Sequence, residues 1–274
     1  MKIITIKNIK KNLIALLLVL PFILTACGGN TTAGTVVKIG TTGDSKAWQH
    51  VIADAAKEDI KIELVIFSDY PQPNKALAAG EIDLNSFQHI AYLTKEIEEF
   101  GYEITPIGNT SIAPMGLYSD KYTAVSEFPN DAKVLIPDDV TNGGRALKLL
   151  EAEGLIKVDP AVGYTPTLKN ITANPKNLQI TELAAANIPA ALADVDFAAI
   201  NSGVAADAIG TPTDTAIILE QVEITSENPY VNIIAARTVD KDNEIYQRII
   251  ELYQTDEVKA IIAEDSKGSS IPVW

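Results

Sequence analysis

Short apolar runs with strand character alternate with amphipathic stretches of helical period along most of this chain. Residues 36–40 (VVKIG) predict a first strand, and Asp44 or Ser45 can cap a helix over 47–57. Residues 60–67 (IKIELVIF) alternate as a second strand, which ends in Phe67, Ser68, Asp69 and Tyr70. A short helix over 74–79 stops at Gly80, and 82–84 predict a short strand whose end carries Asn85, Ser86, Phe87, Gln88 and His89. Residues 90–100 predict a helix closed by Gly101, and 104–118 hold two extended pieces broken by Pro106 and Pro114.

The same alternation continues in a second block. Strands are expected over 133–136, 177–182, 197–201 and 230–236, with a short apolar piece at 216–219. Helices are expected over 144–152, near 188–192 and over 205–209, and the tail over 243–264 reads as helical. This order predicts a parallel α/β architecture, in which the carboxyl ends of neighbouring strands rim a ligand crevice. Aromatic and polar side chains gather at strand ends in both halves, which points to two lobes.

The first residues follow a different rule. Lys2, Lys7, Lys10 and Lys11 precede an apolar run over 13–23, and Leu24-Thr25-Ala26-Cys27 has the form of a lipobox. The run falls short of the roughly 20 residues a membrane-spanning helix needs. A lipoprotein signal over 1–26 is therefore expected, with cleavage before Cys27, a lipid on that cysteine, and a tether over 27–35. The folded part would then hang from the extracytoplasmic face of the cell membrane. Cys27 is the only cysteine, which excludes an intramolecular disulfide and a cysteine-built metal cage. The chain carries a net charge of −14, and removal of the signal lysines makes the mature part more acidic still. That balance argues against nucleic acid and against an electrostatic grip on anionic lipid.

Candidate chemistry is sparse but focused. Pro137-Asp138-Asp139-Val140-Thr141-Asn142-Gly143-Gly144-Arg145 joins a strand to a helix. A helix start presents free N–H groups to an anion, and Arg145 in the first turn can add a bidentate partner for a carboxylate. The alternative is a plain capped helix with its arginine in solvent. The GxxxxGK[ST] spacing of a P-loop is absent. His89 sits at a strand end, where it either serves a ligand or is satisfied by backbone groups. His50 is the only other histidine, too few for an ordinary zinc site, and no EF-hand spacing or G-x-S-x-G elbow is present. Abundant acids could pair, but no motif supports them. Asn201 closes a buried strand and Asn232 lies within YVNII, so each amide must find a partner in the backbone or in a crevice.

Several long segments carry a family likeness in order: 67–89 (FSDYPQPNKALAAGEIDLNSFQH), 112–119 (IAPMGLYS), 141–156 (TNGGRALKLLEAEGLI), 174–183 (NPKNLQITEL) and 228–237 (NPYVNIIAAR). The chain resembles the NlpA/MetQ family, the substrate-binding lipoproteins of methionine ABC importers. That resemblance implies a type II periplasmic-binding-protein fold, with two α/β lobes joined by crossovers near 114–118 and 226–232. Lobe one would comprise 36–115 and 230–274, and lobe two 116–229. Tyr70 and Phe87 would sandwich the ligand side chain, with His89 and Tyr92 on the same wall. Arg145, helped by Asn142, would take the α-carboxylate, and Asn201 and Asn232 would hold the head group from the other side.

The implied partners are L-methionine or a close relative, an importer permease with its ATPase, and the membrane through Cys27. No cofactor, metal or catalytic role is implied. The family's PNDPTN reads PDDVTN here, and Ser202, Gly203 and Val204 stand where the family carries threonine and tyrosine. Loss of a tyrosine would reshape the pocket and admits D-methionine, a methionine-containing dipeptide or another apolar amino acid. Two further alternatives are an enzyme on the same scaffold and a surface interaction lipoprotein with a vestigial cleft. The first lacks a nucleophile or metal constellation, and the second fits poorly with intact Arg145, Asn201 and Asn232.

Overall fold

A computed structural model of the chain describes residues 35–274. The expected signal, the Cys27 lipid site and the tether as far as residue 34 lie outside the described residues. In chain order the elements are β1 (Thr35–Thr41), α1 (Lys46–Ala55), β2 (Ile60–Ile66), α2 (Pro71–Ala79), β3 (Leu84–His89), α3 (Ile90–Phe100), β4 (Ile104–Asn109), β5 (Ser111–Ile112) and β6 (Gly116–Tyr118). They continue with β7 (Lys133–Pro137), α4 (Val140–Ala152), β8 (Lys157–Val158), β9 (Ile171–Ala173), β10 (Gln179–Leu183), β11 (Phe197–Ile200), α5 (Ser202–Ala208) and α6 (Pro212–Thr215). The last are β12 (Ile218–Leu219), β13 (Asn232–Arg237), α7 (Glu244–Tyr253), α8 (Asp256–Asp265) and β14 (Ile271–Pro272).

Two five-stranded sheets organise these elements. The first has the order β2-β1-β3-β13-β4 and the second β10-β7-β11-β6-β12. Neither is wholly parallel, which corrects the expectation from the alternating pattern. β13 runs antiparallel to both β3 and β4, and β6 runs antiparallel to β11 and β12. Both exceptions are strands reached by passing between the sheets, so no helical crossover dictates their direction. The outward passage ends by Met115, because Gly116 to Tyr118 already pair within the second sheet; the expected 114–118 placement was slightly late. The return runs from Leu219 to Asn232.

Both sheets are covered on both faces, as their apolar strands require. Ile234 and Ala236 pack with Val37, Ile39 and helices α1 and α7, while Ile233 and Ala235 pack with Leu77 and Leu93. In the second sheet Val134, Ile136, Phe197 and Ala199 face Leu147 and Leu150, and Leu135, Ala198 and Ile200 face Ile188 and Leu192. Phe128 stacks on Phe197 with ring centroids 3.8 Å apart.

Several boundaries differ from those the residue pattern predicts. The strand expected over 82–84 is instead Leu84–His89, although Asn85 and Gln88 are fully or almost fully buried. Asn74 of α2 makes this possible: its Nδ2 donates to Gln88 Oε1 (2.7 Å), and its Oδ1 accepts from Asn85 Nδ2 (2.9 Å) and Gln88 Nε2 (2.7 Å). A closed amide cluster lets polar residues occupy an interior strand. Pro106 does not break β4. It lies on an edge strand beside a bulge, where its missing N–H is tolerated. Helix α4 starts at Val140 and not at Gly144, capped by Asp139, and the tail divides into α7 and α8 where Thr255 caps the second helix. The stretch near 188–192 winds as a 3₁₀ helix over Pro189–Asp194.

Candidate functional site

Strand ends and helix starts of both sheets meet at one cleft of about 800 Å³, and all eight residues singled out by the sequence line it. Tyr70 precedes Pro71, the first residue of α2; Phe87 and His89 lie on β3; Tyr92 is in the first turn of α3. Asn142 and Arg145 come from the first turns of α4, Asn201 follows β11, and Asn232 opens β13.

Tyr70, Phe87 and Tyr92 form a triangle of rings with centroids 6.0–6.2 Å apart. Its faces and edges offer a polarisable wall for an apolar or thioether chain. Burial holds the Tyr70 and Tyr92 phenols neutral by raising their pKa well above the usual tyrosine range, and the Glu96 carboxylate adds to the effect at Tyr92.

A hydrogen-bonded chain crosses the cleft and fixes the orientation of each polar group. The Tyr92 backbone N–H donates to His89 Nδ1 (3.0 Å), so the neutral ring carries its proton on Nε2. That Nε2–H reaches Asn142 Oδ1 at 3.2 Å. Asn142 Oδ1 also accepts from Asn201 Nδ2 (2.7 Å), while Asn142 Nδ2 donates to Asp139 Oδ2 (2.9 Å). The orientation of Asn201 follows: its Nδ2 faces Asn142, and its Oδ1 is buried without a partner among the described residues. An unpartnered buried acceptor at a cleft wall favours a ligand that brings a donor.

Two expectations at this helix start need correction. The free N–H groups expected to receive an anion are taken by Asp139, whose Oδ1 accepts from Thr141 N (3.2 Å) and Asn142 N (2.9 Å). Arg145 is neither solvated nor an open fork. It is 3% exposed; its Nε donates to Glu220 Oε2 (2.8 Å), and its Nη2 lies 2.6 Å from the same oxygen and 2.9 Å from the Ala113 carbonyl. Nη1 is the guanidinium nitrogen without a hydrogen bond to the described residues, so Arg145 does not present the open two-nitrogen fork expected of it. The Tyr230 ring covers the guanidinium with its centroid 4.3 Å from Cζ, and burial pushes its phenol up to about 12, partly offset by the arginine charge. Tyr230 also meets His89 edge-on at 5.2 Å.

Asp139, Glu220 and Tyr230 were not singled out as site residues. Asp139 could have been found from its place three residues before Asn142, and Tyr230 stands in the NPYVN segment. Glu220, in an irregular passage 75 positions from Arg145, left no local signal.

Burial, reinforced by the nearby Arg145 charge, lowers the His89 pKa to about 4. The unfolded ring titrates near 6.5, so the unfolded chain binds the extra proton first as the pH falls. His89 therefore contributes stability above pH ~6.5 that is lost progressively toward pH ~4. Urea unfolding at pH 7 and pH 4.5 tests this, with His89→Gln as the control for titrating carboxylates. The wild type is expected to lose more stability between the two pH values than the variant does, and parallel losses would remove His89 from the account.

Two α/β lobes, connected by two passages and enclosing a cleft with an aromatic wall and oriented polar groups, make a periplasmic-binding-protein fold. Comparison with known proteins supports this reading and narrows it. The family model for the NlpA lipoprotein matches residues 37–274, and the chain belongs to that family. It is 40% identical over 255 residues to the probable D-methionine-binding lipoprotein MetQ of Vibrio cholerae, covering 92% of this chain and 93% of that one. The crystal structure of protein PG110 from Staphylococcus aureus is 46% identical with a TM-score of 0.83, covering 86% of this chain and 94% of that one. A nutrient-binding protein from Burkholderia cenocepacia, solved bound to methionine, is 40% identical with a TM-score of 0.81, covering 87% of this chain and all of that one.

Proposed function

We propose that this chain is the binding lipoprotein of an ABC importer and captures methionine between two closing lobes. The observation that carries the proposal is the pairing, in one cleft, of the Tyr70–Phe87–Tyr92 wall with the unpartnered Asn201 Oδ1 and the Arg145 Nη1 edge. The rings suit a thioether, the amide oxygen an ammonium, and the arginine a carboxylate. His89 and Asn142 orient these groups, and Asn232, the register partner of His89 on the neighbouring strand, lines the cleft beside it. The closing bodies are 36–115 with 230–274, and 116–229. Binding favours the closed arrangement, which an importer's permease and ATPase can distinguish from the open one. A lipid on Cys27 would hold the protein at the extracytoplasmic face, and the role needs no catalysis.

A methionine-containing dipeptide is the second reading, and the cleft of about 800 Å³ has room for it. Calorimetric titration of refolded, ligand-stripped protein decides between them. L-methionine is expected to bind at one site with micromolar or tighter affinity; D-methionine and glycylmethionine are the comparison ligands. Binding of the dipeptide alone would transfer the specificity, and no heat with any of the three would refute the proposal.

A further inference from the structure

Arg145 is held by the two segments that join the lobes as well as by its own helix. Its Nη2 donates to the Ala113 carbonyl, on the outward passage (2.9 Å), and its Nε to Glu220, on the return passage (2.8 Å). Glu220 binds that outward passage in its own right: its backbone N–H donates to Met115 O (2.8 Å), and its Oε2 accepts from Met115 N (3.1 Å). One carboxylate oxygen thus joins the guanidinium to both connections. Glu220 is not among the residues that line the cleft, whereas Arg145 and Ala113 are.

We infer that Glu220 is a positioning residue for ligand capture: it holds the guanidinium by the Nε–Nη2 edge, leaves Nη1 for the ligand carboxylate, and ties that charge to the segments between the lobes. The inference rests on the amino-acid-binding reading above. Its physical basis is the cost of a misplaced buried cation. Without an anion at its back, the guanidinium can turn toward Asp139 or water, and the ligand must then order it on binding. The Met115 bonds preset Glu220 itself, so the arrangement is built before any ligand arrives. A group that acted only as packing would weaken every ligand alike. A positioning group acts on ligands that bear the carboxylate.

Glu220→Gln keeps the side-chain volume and an oxygen for Met115 N, but removes the charge. Two measurements test the inference. In the first, L-methionine and L-methioninol, which has a hydroxymethyl group in place of the carboxylate, are titrated into wild type and variant. Methionine affinity is expected to fall about tenfold, the size of one charge-assisted hydrogen bond, while methioninol affinity stays within about threefold. Equal losses for both ligands, or no loss for either, would overturn it. The second measurement follows exchange of the Arg145 Nε–H by NMR in ligand-free protein, with the resonance assigned by its loss in Arg145→Lys. Slow exchange in wild type and at least roughly tenfold faster exchange in the variant are expected. Unchanged exchange refutes the hold on Arg145 whether or not methionine is the ligand. Wild-type titration separately exposes a failure of the methionine reading.

Discussion

Arg145→Ala is expected to weaken methionine binding by at least about a hundredfold, the largest single effect at this site. Truncating one partner of a buried, hydrogen-bonded charge pair costs about 2–5 kcal/mol, because the remaining charge stays desolvated. Here the substitution removes the cation for the ligand carboxylate and also leaves Glu220, whose side chain is 15% exposed, facing Met115 N with no counter-charge. The Tyr230 face loses its cation in the same step. The fold should weaken by about 3–5 kcal/mol in urea, so binding must be measured where both proteins remain folded. Arg145→Lys separates charge from geometry: it keeps a cation but cannot reproduce the Nε and Nη2 bonds to one oxygen, and should recover only part of the affinity. Full recovery with lysine would mean that the fork is irrelevant, and undiminished binding in Arg145→Ala would remove Arg145 from the site.

Asn142→Leu should have the next largest effect, although it keeps the branched outline of the side chain. Asn142 joins His89, Asn201 and Asp139 through three side-chain bonds. An apolar replacement strands the His89 Nε2–H and the Asn201 Nδ2 donors, and each unsatisfied buried group costs about 1–3 kcal/mol. A stability loss of roughly 2–4 kcal/mol and a methionine affinity at least about tenfold weaker are expected. With its restraint gone, the Asn201 amide can turn its Nδ2 into the cleft, where it no longer accepts from an ammonium. Discrimination between methionine and its deaminated analogue, 4-(methylthio)butanoate, should therefore narrow. If affinity falls but that discrimination is unchanged, the amide orientation is not what selects the amino group.

The amino-acid sequence made the site more legible than the fold around it. Each of the eight singled-out residues lines the cleft, because strand ends and helix starts bear aromatic and polar side chains that local pattern can mark. The orientation of those groups was hidden. Asp139 was visible as a residue near a helix start, but its occupation of the anion position depends on the backbone angle at the cap. Glu220 escaped because its partner is distant in sequence. In the fold, local reading placed β1, α3 and β7 closely and failed where tertiary structure overrode propensity. The Asn74 cluster carries a polar run through β3, and an edge bulge admits Pro106. Strand direction was invisible for the same reason, since β13 takes its antiparallel course from the lobe it returns from.

That return has a consequence for the order of folding. Among the described residues β4 pairs only with β13, and one edge of β3 is also filled by β13, so the first sheet is split until residues 232–237 arrive. Nearly two hundred residues separate Thr35 from Asn232, and the whole second sheet lies between them. The second sheet draws its strands from one uninterrupted stretch, from Gly116 to Leu219, and can assemble first. The amino-terminal sheet must wait for it, with a high loop-closure cost and an open β3 edge in the meantime. A chain emerging from its amino end would therefore complete its middle before its beginning, and a truncation before Asn232 would leave β3 exposed as an unfinished edge.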